Sequence, residues 1–306
     1  MEDVLFPNFR KVTLATSGGE IALVTGGGGP PVLLLHGYPQ TRAAWHKISP
    51  ALAERFTVVI PDLRGYGESA ASAPNQSDAF TKRALARDQK EIMAQLGYHK
   101  FAVVGHDRGA RVGYRLALDS PECVVSLTSL NVIPTIDVWD QVNTAFASRA
   151  YHWFFLAQPF DLPEKLLASE PDYFLDRTLV AMSNGRDIYH PEALAAYRTA
   201  FRSSSVRHAM CEDYRAALGP DTAADAADRA TDRRITCPVL VLWQDRPYPD
   251  ASRHPISIWR KWVCGDVRGA PIEGASHMLP EDAPDAVLEQ LLPFLEAHNG
   301  EELHQA

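Results

Sequence analysis

Short apolar runs recur along the chain and alternate with longer stretches in which apolar residues return every three or four positions. Val32 to Leu35 is followed by Ala43 to Phe56, Val58 to Ile60 by Lys82 to Leu96, and Phe101 to Val104 by Arg108 to Leu118. A brief continuous apolar run between turn residues reads as a buried strand, and a longer run of period 3.6 as a helix. Such alternation predicts an α/β fold with a mostly parallel sheet covered by helices. After Val124 to Val132 the pattern changes. From about Trp139 to Ala230 the chain carries helical periods, aromatics and acids with no convincing strand; strand character returns at Pro238 to Trp243 and Ala270 to Ile272, before an amphipathic Ala286 to Leu295. A helical block that interrupts such an alternation fits an insertion better than a terminal domain. The expectation is a core made of residues 1–136 and 231–306 with a helical cap at 137–230, and an Ala/Asp-rich stretch, Asp221 to Asp232, that reads as a solvated exit from the cap.

The third strand–helix junction carries the candidate chemistry. Gly105-His106-Asp107-Arg108-Gly109 lies between an apolar strand and a helix, the context of a G-x-S-x-G nucleophile elbow, with aspartate in place of serine. A serine there makes acyl-enzymes, whereas a carboxylate displaces a leaving group at carbon and becomes an ester that water must cleave. An aspartate at a helix start also serves as a cap, so the pentapeptide alone leaves both readings open. Leu35-His36-Gly37-Tyr38-Pro39 follows a buried strand where such a fold places an oxyanion donor, making the Tyr38 and Arg108 N–H groups candidates. Asp62 to Ser69 forms a glycine-rich turn in which a salt-bridging Asp62 and Arg64 suit a constrained loop. Gly274-Ala275-Ser276-His277 comes after the last expected strand, and a histidine there completes the order nucleophile, acid, histidine, with His277 as general base.

Composition narrows the partners. A net charge of −8 and a pI near 5.8 argue against nucleic acid. An anionic substrate would therefore need a local basic pocket. The start, MEDVLFPNFRKV, lacks a basic stretch followed by an apolar one, and no apolar run approaches membrane-spanning length, which reads as a soluble cytoplasmic protein with no membrane partner. Four scattered cysteines and eleven histidines show no metal-ligand spacing, so neither a metal nor a cofactor is expected.

The stretches LLLHGYPQT, LAERF, DLRGYGES, TKRALA, GHDRGARVGYRLALDSP, YHWFFLAQP, RHAMCEDYRA, IWRKW and GAPIEGASHMLPEDAP together resemble the fluoroacetate dehalogenase family of the α/β-hydrolase superfamily, over most of the chain. The resemblance implies that Asp107 attacks the halogen-bearing carbon of a short 2-haloacid with inversion, and that His277 activates water to cleave the resulting ester. It implies that Arg108 and Arg111, on one face of the first helical turn, bind the substrate carboxylate and keep Asp107 ionised. It assigns His152, Trp153 and Tyr214 as halide donors, although YHWFF alone reads equally as aromatic core. It also implies a homodimer.

Three positions depart from the family. Asn131 occupies the place of the acid that orients the histidine; an amide can hold an imidazole but carries no charge and can select the wrong tautomer. Asp245, with Asp250 nearby, offers a relocated acid. Tyr38 stands where phenylalanine is frequent, and Ala181 to Gly185 lacks a pocket-narrowing tryptophan, which weakens strict fluoroacetate selectivity. An epoxide hydrolase shares the aspartate and the HGYP loop, but a neutral epoxide gives no reason for two arginines. A catalytically impaired carboxylate-binding homologue is the reading that takes Asn131 as lost turnover.

Overall fold

Two antiparallel strands, β1 (Arg10–Thr16) and β2 (Gly19–Gly27), precede those read from the apolar runs. The computed structural model describes residues 4–76, 78–248 and 250–299; the outermost ends of the expected core segments, with Ser77 and Pro249, lie outside the described residues. The chain continues through β3 (Pro31–Leu35), a 3-10 turn (Arg42–Trp45), α1 (Ser49–Ala53), β4 (Thr57–Pro61), β5 (Ala70–Ala71), α2 (Lys82–Gln95), β6 (Phe101–His106), α3 (Arg108–Asp119) and β7 (Val124–Leu130). Eight helices follow: α4 (Thr135–Trp139), α5 (Thr144–Arg149), α6 (Tyr151–Leu156), α7 (Leu162–Ser169), α8 (Pro171–Met182), α9 (Pro191–Arg202), α10 (Ser204–Leu218) and α11 (Pro220–Ala230). Then come β8 (Val239–Gln244), a 3-10 turn (Ala251–Arg253), α12 (Pro255–Trp262), β9 (Val267–Ile272), α13 (Leu279–Asp282) and α14 (Pro284–Asn299).

The sheet runs β1-β2-β4-β3-β6-β7-β8-β9, with β5 on β2, and is parallel from β4 through β9. Although β7 and β8 are separated by all eight helices, they are neighbours in the sheet, with Leu127 opposite Val239. The helical block is thus inserted between adjacent strands. Successive strand residues feed opposite faces: Leu33, Leu35 and Val103 pack with α2, α3 and the inserted helices, whereas Val32, Leu34 and Val104 pack with α1 and α14. Burial on both faces is what makes these strands read as continuous apolar runs.

Two expectations need correction. Ala43 to Phe56 is not one helix, because Pro50 at the first turn of α1 has no N–H to continue the preceding turn. Asp221 to Asp232 is not a solvated exit: most of it is α11, whose Asp221, Asp225 and Asp228 are buried on one face. Arg115 bonds Asp225 at 2.9 Å and Asp228 at 2.6 Å, and the Tyr114 hydroxyl donates to Asp225 at 2.9 Å. The buried arginine supplies the partners that make burial of acids tolerable.

Candidate active site

Asp107 sits between β6 and α3 with φ 49° and ψ −116°, a conformation that costs energy for any residue with a side chain. Its flanking glycines permit it: a Cβ on Gly105 would lie 2.5 Å from the Ala110 Cα, and one on Gly109 would lie 2.2 Å from the Leu35 carbonyl oxygen. The turn leaves the Asp107 carboxylate buried, with the Tyr38 N–H donating to Oδ1 at 2.9 Å and the His277 Nε2 3.5 Å from Oδ2. The Arg108 N–H, at the first position of α3, is one of the unpaired donors of a helix start. Burial pushes the Asp107 carboxyl up, but the His277 side chain, and beyond it the Arg108 guanidinium, outweigh burial and hold it well below the usual carboxylate range.

His277 is held through its backbone from two sides. Its N–H donates to the Met182 carbonyl at the end of α8 at 3.2 Å, and its C=O accepts from His106 Nε2 at 2.8 Å and from Asn131 Nδ2 at 3.0 Å. Asn131 follows β7 at φ 61°, a left-handed position that asparagine and aspartate tolerate. Its Oδ1 accepts the Gln244 N–H at 3.1 Å, and its Nδ2 lies 3.3 Å from His277 Nδ1. Asp245 is exposed and makes no contact with His277 among the described residues, and Asp250 caps the Ala251–Arg253 turn. The relocated acid therefore has no support in the geometry.

Arg108 and Arg111 are both buried, which removes the reading of surface arginines pairing with Asp119. They are used differently. The Nε of Arg108 donates to both Asp213 carboxylate oxygens at 3.1 Å, and its Nη2 donates to the Asp213 carbonyl at 2.7 Å and to Oδ1; Nη1 is buried with no partner among the described residues. Arg108 is thus no free fork for a ligand, contrary to the two-fork picture. Arg111 donates through Nη1 to the Ile133 carbonyl at 3.2 Å and to Thr135 Oγ1 at 2.9 Å, its Nε is buried without a partner, and no carboxylate pairs with it among the described residues. Their guanidinium groups stack on aromatic rings, Arg108 on Tyr214 at 4.2 Å and Arg111 on Trp153 at 4.8 Å.

Helix α6 and helix α10 bring the three expected halide donors together. The Tyr214 ring lies 5.7 Å from both His152 and Trp153, and Tyr38 stacks on His152 at 5.6 Å and meets Tyr214 edge-on at 5.2 Å. The Tyr214 hydroxyl is buried with no hydrogen-bond partner among the described residues, and the Tyr38 hydroxyl is buried beside Thr178. Burial drives the His152 pKa down to about 4, so its imidazole is neutral. Asp62 and Arg64 do not pair with each other as expected: Asp62 pairs with Arg42, and Arg64 with Asp88 at 2.7 Å. All four cysteines are free thiols. On α7 and α10, Glu164, His208 and Glu212 bring possible metal-ligand atoms within 4.8 Å of one another, yet Arg215 pairs with Glu164 at 2.8 Å and with Glu212 at 2.6 Å and already compensates them.

Beside the base loop, Lys47 donates to the carbonyls of Ile188 at 2.8 Å and Glu281 at 2.7 Å, while the buried Glu281 carboxyl accepts from Gln40 and borders Tyr197. Burial pushes Glu281 up to about 8, against the pull of Tyr197, Lys47 and Gln40. An unfolded glutamate titrates near ~4.3, so the folded state holds the proton more tightly between the two values. Stability from this group is full below the unfolded value and is lost as pH rises through about 8. Glu281→Gln is expected to flatten the fall in thermal midpoint between pH ~5 and ~9, a gain of a few kcal/mol at the alkaline end. Parallel melting curves for the two proteins across that range would refute an uncharged Glu281.

The matching family model is the alpha/beta hydrolase fold, over residues 30–284. The chain is 38% identical over 306 residues to a fluoroacetate dehalogenase from a Burkholderia species, covering 98% of each. It is 33% identical over 282 residues to a soluble epoxide hydrolase from Corynebacterium, covering 91% of this chain and 94% of that one. Among solved structures, a candidate epoxide hydrolase from Pseudomonas aeruginosa is 61% identical with a TM-score of 0.94, covering 97% of this chain and 98% of that chain. A point variant of it, solved with bound MFA, superposes with a TM-score of 0.93 at 61% identity and covers the same shares. These matches, with a parallel sheet that carries the elbow after β6 and a histidine after β9, show that the chain belongs to the α/β-hydrolase superfamily and, within it, to the fluoroacetate dehalogenase family.

Proposed function

We propose that the protein, a hydrolase by family, hydrolyses the carbon–halogen bond of short 2-haloacids through an ester on Asp107, with residues 137–230 closing over the site as a cap. The observation that carries this reading is Arg111. A buried guanidinium without a carboxylate partner is costly, and a substrate carboxylate would complete it beside the nucleophile. Arg111 presents Nε, and Arg108 contributes Nη1. Asp107 Oδ1 stays on the Tyr38 N–H while Oδ2 attacks the carbon; the carbon–halogen electron pair leaves with the halide. His152, Trp153 and Tyr214 offer N–H and O–H donors to charge that develops on the halogen only as the bond breaks. Completing the cycle requires a His277 with Nε2 free, the state that Asn131 disfavours: the ring takes a proton from water as the water adds to the Asp107 ester carbonyl, whose oxyanion rests on the Tyr38 N–H, and returns it to the alkoxide oxygen as the ester bond breaks and the 2-hydroxy acid departs.

Fluoride and chloride release from fluoroacetate and chloroacetate, measured beside diol formation from styrene oxide, tests the reading. Release of neither halide would end it. Removing one donor, as in Trp153→Phe, is expected to slow defluorination more than dechlorination, on the order of 10²-fold for fluoride, because the poorer leaving group depends more on donors. Equal losses for both halides would assign these residues to packing. A second reading, epoxide hydrolysis, is favoured by the Tyr38 and Tyr214 hydroxyls: burial raises both pKa values well above the usual phenol range, so both remain proton donors for an opening epoxide. Diol without halide would establish it.

A further inference from the structure

Behind the arginine pair lies a buried quartet of charges, Arg108, Asp213, Lys82 and Asp221, of which Arg108 lies against the Trp153 and Tyr214 rings. Lys82 opens α2 and is about 1% exposed, and its ammonium contacts Asp213 and lies 3.5 Å from Asp221 Oδ2. The Lys82 N–H donates to Asp221 Oδ1 at 2.8 Å, and the Tyr66 hydroxyl donates to Asp213 Oδ2 at 2.8 Å. Two cations and two anions sum to zero. Asp213 alone would cancel Arg108; Lys82 draws on the same Asp213 oxygen that Arg108 Nη2 uses, and Asp221 in turn draws on Lys82.

We propose that Lys82 and Asp221 are positioning residues that set the charge Arg108 presents to a substrate carboxylate, Lys82 strengthening it and Asp221 weakening it, without touching the substrate. The proposal rests on the haloacid reading for its substrate. Buried charges act over several ångströms at low effective dielectric, so removing the cation Lys82 or the anion Asp221 shifts the potential at Arg108 in opposite directions. The mechanism also requires that a ligand of the same shape without charge be indifferent to both.

The test uses Lys82→Met, Asp221→Asn and the double variant Lys82→Met/Asp221→Asn, with chloroacetate and its uncharged counterpart 2-chloroacetamide as substrates. Lys82→Met should raise KM for chloroacetate on the order of tenfold, and Asp221→Asn, which keeps an oxygen for the Lys82 N–H, should lower it several-fold. The double variant restores the zero sum and should return KM close to that of the natural chain, which a packing defect would not do. With chloroacetamide the kinetic constants of all three should match the natural chain. Equal effects on both substrates, shifts of the same sign in the two single variants, or a double variant worse than either would overturn the proposal. If Lys82→Met does not fold, Asp221→Asn decides through the sign of its shift. If the natural chain releases chloride from neither substrate, the haloacid reading has failed instead, and acetate affinity by calorimetry, ordered Asp221→Asn tightest and Lys82→Met weakest, still tests the charge relay.

Discussion

Asn131→Asp is expected to turn over haloacetate faster than the natural chain, with a ceiling near the ~10⁴-fold effect of the comparable amide exchange in a serine-protease triad. The reason lies in how the amide is oriented. Gln244 N–H can only donate, so it takes Oδ1, and the His277 carbonyl can only accept, so it takes Nδ2. With both backbone groups fixed, Nδ2 must face His277 Nδ1 as a donor. The imidazole proton is then on Nε2, the nitrogen that faces Asp107, and no lone pair remains there to take a proton from water. Aspartate would keep the Gln244 bond and accept a proton on Nδ1, freeing Nε2, while His106 continues to serve the His277 carbonyl. Rapid mixing with chloroacetate should give a halide burst stoichiometric with sites in the natural chain and a glycolyl adduct on Asp107 by mass spectrometry. In the variant the adduct should fade and release should become steady. A natural chain with neither burst nor adduct, matched by an unaltered Asn131→Asp, would remove the tautomer account.

Asp107→Ala is expected to abolish halide release, because no other carboxylate occupies the elbow. It should also bind acetate more tightly than the natural chain, roughly tenfold or more, since the ligand carboxylate no longer meets a like charge beside Arg108 and Arg111. The pairing of lost chemistry with gained affinity separates a nucleophile from a residue that merely shapes the turn. Calorimetry with acetate and halide assays on the same preparation check both halves; retained release, or weakened acetate binding, would reassign Asp107.

The parallel strands were legible because burial on both faces leaves them without polar interruption, and the elbow because its glycines bracket a single chemical position. Of the expected site residues that meet in space, Tyr38, Asp107, Asn131 and His277 follow the C-terminal ends of β3, β6, β7 and β9, which the strand order brings to one end of the sheet, and Tyr214 reaches them from within α10. What escaped was the use of Arg108: spacing places two arginines on one helical face but says nothing of the acid that claims one of them. A signal was present. Lys82 falls on the face of α2 that carries Leu85, Gln89 and Ile92, and Asp213 on the face of α10 that carries Met210 and Ala217, all buried. A charge on an apolar stripe announces a buried partner. The same logic exposes the error at Asp221, Asp225 and Asp228, whose spacing puts them on one face, where acids gather only around a cation. His106 was passed over as a motif spacer, although burial holds it near 4 and its neutral ring steadies the base loop.

The hydrogen bond from the His277 N–H to the Met182 carbonyl joins the base loop to the end of α8, on the far side of the site from Asn131. A departure of α8 that lets a product out must break this bond or drag the loop with it. On the haloacid reading, an exit opened by moving α8 would unseat the base, so that water attack would belong to the arrangement in which this bond is intact. Under that ordering the proposed ester would meet bulk solvent only when the group that activates water is out of place.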